Sequence, residues 1–329
     1  MHPFAYARPD DLGTAVAAVA GDPAATFIAG GTELVNWMKD GIARPALVVD
    51  LGGLPLSAID ETPEGGLRIG ALARMRMVAE DAAVRARYPV LAEALEAGAS
   101  PQIRNAATVG GNLLQRTRCP YFRETSFPCN KRELGAGCAA RTGPHHLHAV
   151  FGGSDACIAV HPSDLAVALL ALDATVLLRG PASDRRVPID GFYLLPGETP
   201  ERETVLRHGE AIIAVELPAA RFAARSRYRK IRERASFAFA LVSVAAAVDL
   251  GDDGRVREAR IALGSVAPKP WRARAAEAAL VGRMLDAEAA AAAGRAAVAG
   301  AAPLPDTAYK VTLVERAVAR TLAEIGGWA

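Results

Sequence analysis

Two glycine-paired stretches decide how this chain is read: Phe27-Ile28-Ala29-Gly30-Gly31-Thr32-Glu33-Leu34 and Ala107-Thr108-Val109-Gly110-Gly111-Asn112. In the first, a short apolar strand stops at Gly30-Gly31. Thr32 then stands where it can cap a helix from about Glu33 to Asp40, with Gly41 just past its end. Paired glycines after a strand let the backbone come close to a phosphate, because no Cβ intervenes and positive φ is open to them. The N–H groups around Gly30 and Gly31, with the Thr32 hydroxyl, form one candidate cradle. Gly110 and Gly111, flanked by Thr108 and the Asn112 amide, form a second. Either loop alone reads as a tight turn. Neither spells the dinucleotide fingerprint Gly-x-Gly-x-x-Gly or the P-loop Gly-x-x-x-x-Gly-Lys-Ser/Thr.

Outward from these loops the chain divides in three. Ala46 to Asp50 reads as the next strand of the first unit, closed by Leu51-Gly52-Gly53. A second unit begins near Gly66-Leu67-Arg68-Ile69-Gly70, carries a helix from Val90 to Gly98, and delivers the second glycine loop. After an irregular stretch, Leu165 to Asp173 reads as a helix and Ala174 to Leu178 as a strand, and this unit ends near Glu216-Leu217-Pro218. In the last third, Ala238 to Leu250 and Arg255 to Val266 read as long strands joined at Gly251-Asp252-Asp253-Gly254, a hairpin signal. Alanine-rich helices follow, about Ala273 to Val281, Asp286 to Ala299 and Asp306 to Ile325. The expected boundaries are residues 1–55, 56–222 with an insert at 116–157, and 223–329.

A chain of 329 residues, 51% hydrophobic, can bury two or three cores. Its 38 Lys and Arg nearly balance 36 Asp and Glu, for a formal charge of +2, which gives no support to a nucleic-acid binder. No apolar run approaches the roughly 20 residues that cross a bilayer, so no membrane partner is expected. Met1 to Asp10 lacks a basic stretch followed by an apolar core. The expected location is cytoplasmic, although export with a signal-bearing partner would look the same.

The four cysteines, Cys119, Cys129, Cys138 and Cys157, all fall in the irregular stretch. They read as unrelated buried residues, as two disulfides, or as a four-thiolate metal site. Disulfides suit an oxidising compartment, for which there is no signal. A structureless loop of this length is uncommon unless it is functional, and a bound cofactor would order it. The metal site accounts for the pattern best.

With these residues in hand, the chain resembles the FAD-binding medium subunits of the xanthine dehydrogenase and carbon monoxide dehydrogenase group, the molybdenum hydroxylases. Further matches are His161-Pro162-Ser163-Asp164-Leu165, Tyr228-Arg229-Lys230 before Ser236-Phe237-Ala238-Phe239, and Gly264-Ser265-Val266-Ala267-Pro268. The resemblance implies an α+β chain, with a two-subdomain FAD-binding domain of the vanillyl-alcohol-oxidase/PCMH type and a smaller α/β carboxyl-terminal domain. It implies that Phe27, Ile28, Ala29, Gly30, Gly31, Thr32, Glu33 and Leu34 wrap the FAD pyrophosphate. Thr108, Gly110, Gly111 and Asn112 would complete the cradle beside Ala107. Asp164 would serve the phosphate-ribose region, with His161 facing the flavin. Ile212 would pack on the isoalloxazine, and Lys230 would either sit at its polar edge or lie on a solvated strand, since it belongs to the basic run Arg225 to Arg234.

The cysteine insert is similar to the branch of that group that carries an extra [4Fe–4S] cluster, as in aldehyde oxidoreductases of the bacterial periplasmic type and 4-hydroxybenzoyl-CoA reductase. Four thiolates satisfy such a cluster. A structural zinc site usually takes its cysteines in two close pairs, and the gaps here are nine, eight and eighteen residues. Arg116, Arg118, Arg123, Lys131, Arg132 and Arg141 would offset the cluster's negative charge, while His145, His146 and His148 read as surface or interface residues. No catalytic constellation stands out. The resemblance therefore implies an electron-transfer subunit of a heterotrimeric aldehyde oxidoreductase. A molybdopterin-binding large subunit and a [2Fe–2S] small subunit would be its partners, and an external electron acceptor its outlet. A hydroxybenzoyl-CoA-reductase-like flavin subunit, an independent flavin oxidase and a four-cysteine zinc interaction module are the alternatives.

Overall fold

Three sheets, each with its own buried side chains, organise the computed structural model, which describes residues 1–329. The first is parallel, in the order β1 (Ala5–Ala7), β3 (Leu47–Asp50), β2 (Ala25–Ile28). The helix Leu12–Ala20 links β1 to β2. Asp11 caps it by accepting from the Thr14 N–H at 2.9 Å, and Ala15, Val16 and Val19 form its buried face. The helix Leu34–Lys39 links β2 to β3. β1 and Leu12–Ala20 are absent from the sequence reading. The second helix is also capped differently: Glu33, not Thr32, is its N-cap residue and makes no side-chain cap, while the Thr32 carbonyl accepts from the Asn36 amide at 3.0 Å. Open parallel sheets bind ligands beyond the carboxyl ends of their strands. The carboxyl end of β2 is where Gly30 and Gly31 stand.

The second sheet is antiparallel, in the order β4 (Ile59–Glu61), β5 (Leu67–Gly70), β8 (Ala211–Leu217), β6 (Thr175–Arg179), β7 (Asp184–Pro188). Its largest core packs the helices Pro89–Ala97 and Asp164–Ala171. Ser163 caps the latter by accepting from the Ala166 N–H, and every residue from Leu165 to Ala171 is buried, as expected for a helix apolar all round. The pairing of β6 with β8 skips Ile213, since Leu177 faces Ala214 and Leu178 faces Ile212. On its other side β8 continues its regular pairing with β5, and the Ala71 N–H donates to the Ile213 carbonyl at 2.9 Å. The Ala71 carbonyl in turn accepts from the Gly110 N–H at 2.8 Å. The sheet thereby sets the position of the second glycine loop.

The third sheet, order β12 (Trp271–Arg272), β11 (Val256–Gly264), β10 (Val242–Leu250), β9 (Ser226–Ile231), is antiparallel. β10 and β11 form the expected hairpin, but β10 starts at Val242 rather than Ala238, after Phe237 takes a positive φ of 48°. The helices Arg274–Ala278, Ala287–Ala297 and Tyr309–Gly326 accompany it. Val150 and Phe151, from the insert, belong to this domain's core, with Phe151 stacked on Trp271 at 5.1 Å. No helix is long and apolar enough to cross a membrane.

Candidate functional site

The two glycine loops touch. A Cβ on Gly30 would lie 2.2 Å from the Ala106 carbonyl oxygen and 3.1 Å from the Ala107 Cα, so only glycine allows this approach. Gly31 adopts a positive φ of 71°. Between the loops opens a cavity of about 190 Å³, lined by Ala29 and Thr108 from the loops and by Gly52, Leu72, Arg74 and Met77. The loops present their backbones to it differently. The N–H groups of Gly30, Gly31, Thr32 and Glu33 donate to no protein acceptor, although these residues are half-buried. Four free donors in sequence at a strand end suit an anion such as a pyrophosphate. In the second loop the N–H groups are already used: that of Gly110 meets Ala71, and that of Gly111 meets the Thr108 hydroxyl at 3.1 Å. This loop shapes the cavity wall more than it supplies donors.

Asn112 is also engaged internally. Its Oδ1 accepts from the Ser163 hydroxyl at 2.6 Å and from Gln115 at 3.0 Å. That bond joins the second loop to the helix starting at Asp164, a link that no local pattern in the sequence marks. Asp164 and Lys230 come together with each other: Lys230 Nζ lies 2.7 Å from the carboxylate, and the Tyr228 hydroxyl donates to its other oxygen at 2.5 Å. Both side chains are nearly buried, at 4% exposure for Lys230 and 11% for Asp164, so Lys230 is not on a solvated face despite its basic run. Ile212 lies in the large core on β8, at 5% exposure. His161 sits edge-on to Tyr193 at 4.4 Å, and its Nε2 has no partner. Burial, aided by the Lys131 charge and opposed by Glu203, pushes its imidazole down to about 4, so the ring is neutral at pH 7.

The insert has little regular structure, a single turn of helix at Pro120–Arg123 and a 3₁₀ turn at Ala139–Arg141. It nonetheless brings its four cysteines around one small cavity, lined by Cys119, Cys129, Cys138 and Cys157 with Tyr121, Phe122 and Lys131. Cys129 and Cys138 face each other across an antiparallel bridge. Asn130 ties the limbs: its amide donates to the Ala156 carbonyl at 3.0 Å, and its oxygen accepts from the Gly135 and Gly137 N–H groups. Arg132 holds the Tyr121 and Phe122 carbonyls at 2.6 and 2.7 Å. Lys131, 6% exposed, pairs with Glu203 at 2.7 Å, and Arg116 pairs with the same carboxylate. Burial pushes Glu203 up, but the two cations outweigh it and hold the carboxyl below its ordinary range.

Burial also pushes the Cys119 thiol up to about 12, against the pull of the Phe122 and Tyr121 N–H groups, and raises Cys157. Thiols in such a setting ionise when a bound metal supplies the compensating charge. His148 Nε2 lies 3.2 Å from Cys119 Sγ. No three of the protein's His, Cys, Asp and Glu side chains converge as ligands of a single ion. Glu203, Asn130 and Tyr228 carry much of this architecture, and none announces its partner from the sequence, because each acts across a long separation or through the backbone.

Two family models cover nearly the whole chain: the FAD binding domain in molybdopterin dehydrogenase over residues 2–220, and the CO dehydrogenase flavoprotein C-terminal domain over residues 226–325. The chain is 48% identical over 325 residues to the aldehyde oxidoreductase FAD-binding subunit PaoB of Escherichia coli K12, covering 98% of each. It is 30% identical over 280 residues to the putative xanthine dehydrogenase FAD-binding subunit XdhB of the same organism, covering 84% of this chain and 79% of that one. Among solved structures it matches a chain of carbon monoxide dehydrogenase from Hydrogenophaga pseudoflava with a TM-score of 0.76 and 29% identity, over 100% of both chains. With free loop donors, a cavity between two glycine turns and both family models in register, the chain belongs to the FAD-binding medium subunits of the xanthine and carbon monoxide dehydrogenase family.

Proposed function

We propose that this FAD-binding subunit also carries a [4Fe–4S] cluster on Cys119, Cys129, Cys138 and Cys157. In this reading it passes electrons from iron–sulfur clusters through FAD to an external acceptor. The complex would be a heterotrimer with a molybdopterin-binding large subunit, which oxidises an aldehyde, and a [2Fe–2S] small subunit. The observation that carries the reading is the single cavity that all four cysteines line. A structural zinc site usually takes its cysteines in two close pairs, whereas the gaps here are nine, eight and eighteen residues. The four cysteines surround a volume instead, which suits a multi-metal cluster with one thiolate per iron. The aldehyde assignment is supported by the 48% identity to the aldehyde oxidoreductase subunit.

Flavin, when bound, exchanges electrons singly or in pairs and so links one-electron centres to a two-electron acceptor. The chain's own residues would hold its pyrophosphate on the N–H groups of Gly30 to Glu33, with Gly30 pressed on Ala106 to bring the two loops together. Lys131 brings a positive charge to the cysteine cavity, Glu203 holds it there together with Arg116, and Arg132 fixes the Tyr121 and Phe122 carbonyls beside Cys119. The test is anaerobic reconstitution of the full chain followed by flavin, iron, sulfide and zinc analysis. One FAD with four irons and four sulfides per chain is expected. Zinc in place of iron, or a chain without flavin, would overturn the reading.

A further inference from the structure

Glu33 closes the first glycine loop, yet its side chain points away from the free N–H groups and into the insert. Both of its carboxylate oxygens are taken by guanidinium groups: Oε1 pairs with Arg118, and Oε2 accepts from Arg123 at 3.1 Å. The three side chains are largely shielded, at 14% exposure for Glu33, 28% for Arg118 and 19% for Arg123. The two arginines bracket the first cysteine. Arg118 precedes Cys119, and Arg123 ends the single helical turn that Cys119 caps, its N–H donating to the Cys119 carbonyl at 3.1 Å. Arg118 also lies over the Phe239 ring at 4.7 Å, which adds the segment between β9 and β10 to the junction.

We infer that Glu33 is a positioning residue through which occupancy of the flavin loop and occupancy of the four-cysteine cavity stabilise each other. An anion on the N–H groups of Gly30 to Glu33 fixes the backbone of Glu33. Its carboxylate then fixes Arg118 and Arg123, and with them the limb that carries Cys119. Linkage makes the effect reciprocal: whatever factor cluster loading adds to FAD affinity, FAD binding adds to cluster retention.

This rests on the proposed [4Fe–4S] reading. The experiment compares FAD dissociation constants, measured by flavin fluorescence, for the full chain with and without its reconstituted cluster. In the unmodified chain the cluster-loaded form should bind FAD at least about fivefold more tightly, the lower end of ordinary coupling between sites. In Glu33→Gln, which keeps the shape and removes the charge, that difference should vanish, and Glu33→Asp should restore part of it. Arg118→Gln serves as the second variant, breaking the same link from the other side. A cluster effect on FAD affinity that survives in both variants, or is missing from the unmodified chain although both cofactors bind, overturns the inference alone. Failure of the unmodified chain to take up iron and sulfide overturns the reading beneath it as well.

Discussion

A methyl group at position 30 would lie 2.2 Å from the Ala106 carbonyl oxygen, and that oxygen belongs to backbone that cannot rotate away. Gly30→Ala must therefore push the two loops apart. Overpacking of this kind costs about 1–3 kcal/mol, and here it also deforms the cavity between the loops. We expect the variant to be purified with little FAD, read from the flavin absorbance per chain. Retention of full flavin would show that the contact between the loops is dispensable. Gly31→Ala meets no backbone, only a φ of 71°, and should cost about 1–2 kcal/mol in urea unfolding while keeping more of its flavin.

A second single-residue prediction concerns Lys310, which is fully buried and donates to the Leu147 and Ser265 carbonyls at 2.9 and 2.8 Å. Burial pushes its ammonium down to about 7 from the ordinary 10.5. Between those values the unfolded chain binds the additional proton, so this group makes the fold more stable as pH rises from about 7 toward 10.5. Unfolding curves at pH 7 and pH 9 should show that rise in the unmodified chain and a flatter profile in Lys310→Met. An unchanged slope would mean that Lys310 stays charged throughout. The glycine positions were legible in the sequence because a tight approach leaves a compositional mark. Lys310 was not, since a lysine in an amphipathic helix looks the same whether its end reaches water or a pair of carbonyls.

Length decided much of what was legible but not all of it: the nine-residue helix Leu12–Ala20, mostly small residues, left too weak a period to show. The helices at Pro89–Ala97, Asp164–Ala171 and Tyr309–Gly326 and the β10–β11 hairpin carry enough residues for a period to show. β1, with three residues, and the six-residue helix Met75–Glu80 do not. The insert was rightly read as irregular, but periodicity says nothing about what orders it. The Asn130 side chain does much of that, with three hydrogen bonds to the limbs of the insert. Asn130→Ala leaves the Ala156 carbonyl and two glycine N–H groups without their partner. Each orphaned group that stays out of water costs about 1–3 kcal/mol. Iron content should fall in this variant, with FAD falling only as far as the lost cluster weakens its binding, so that at saturating FAD the flavin content holds, measured on the same preparation. Loss of FAD even at saturating concentration, together with a lost cooperative unfolding transition, would point to global unfolding.

At the scale of the whole molecule, the buried pair Asp164–Lys230 joins the FAD-binding domain to the third sheet, with Tyr228 completing it. The sequence displayed all three residues within matched segments. It did not display that they meet, because their separation along the chain, 64 to 66 positions, erases any local pattern. Removing one partner of a buried ion pair leaves an uncompensated charge and costs about 3–5 kcal/mol. Asp164→Ala should lower stability by that order and open the boundary between the domains to limited proteolysis near residues 218–226. If the stability is unchanged and only the flavin is lost, Asp164 serves the cofactor rather than the domain contact.

The attachments of the insert also set a timetable. Besides the upstream Glu33, its anchors lie far downstream, at Glu203, at Ala302, which donates to the Val150 carbonyl, and at Tyr309 and Lys310, which hold His146 and Leu147. A ribosome adding about 5–20 residues per second needs roughly 10–30 s to travel from Cys157 to the end of the chain. During that interval the insert has Glu33 and its own internal bonds, gains Glu203 partway, and lacks its contacts with Ala302, Tyr309 and Lys310 until close to the end. The thiols are more open to oxidation and to stray metal ions in that window than in the finished fold, where the late anchors hold the limbs around them.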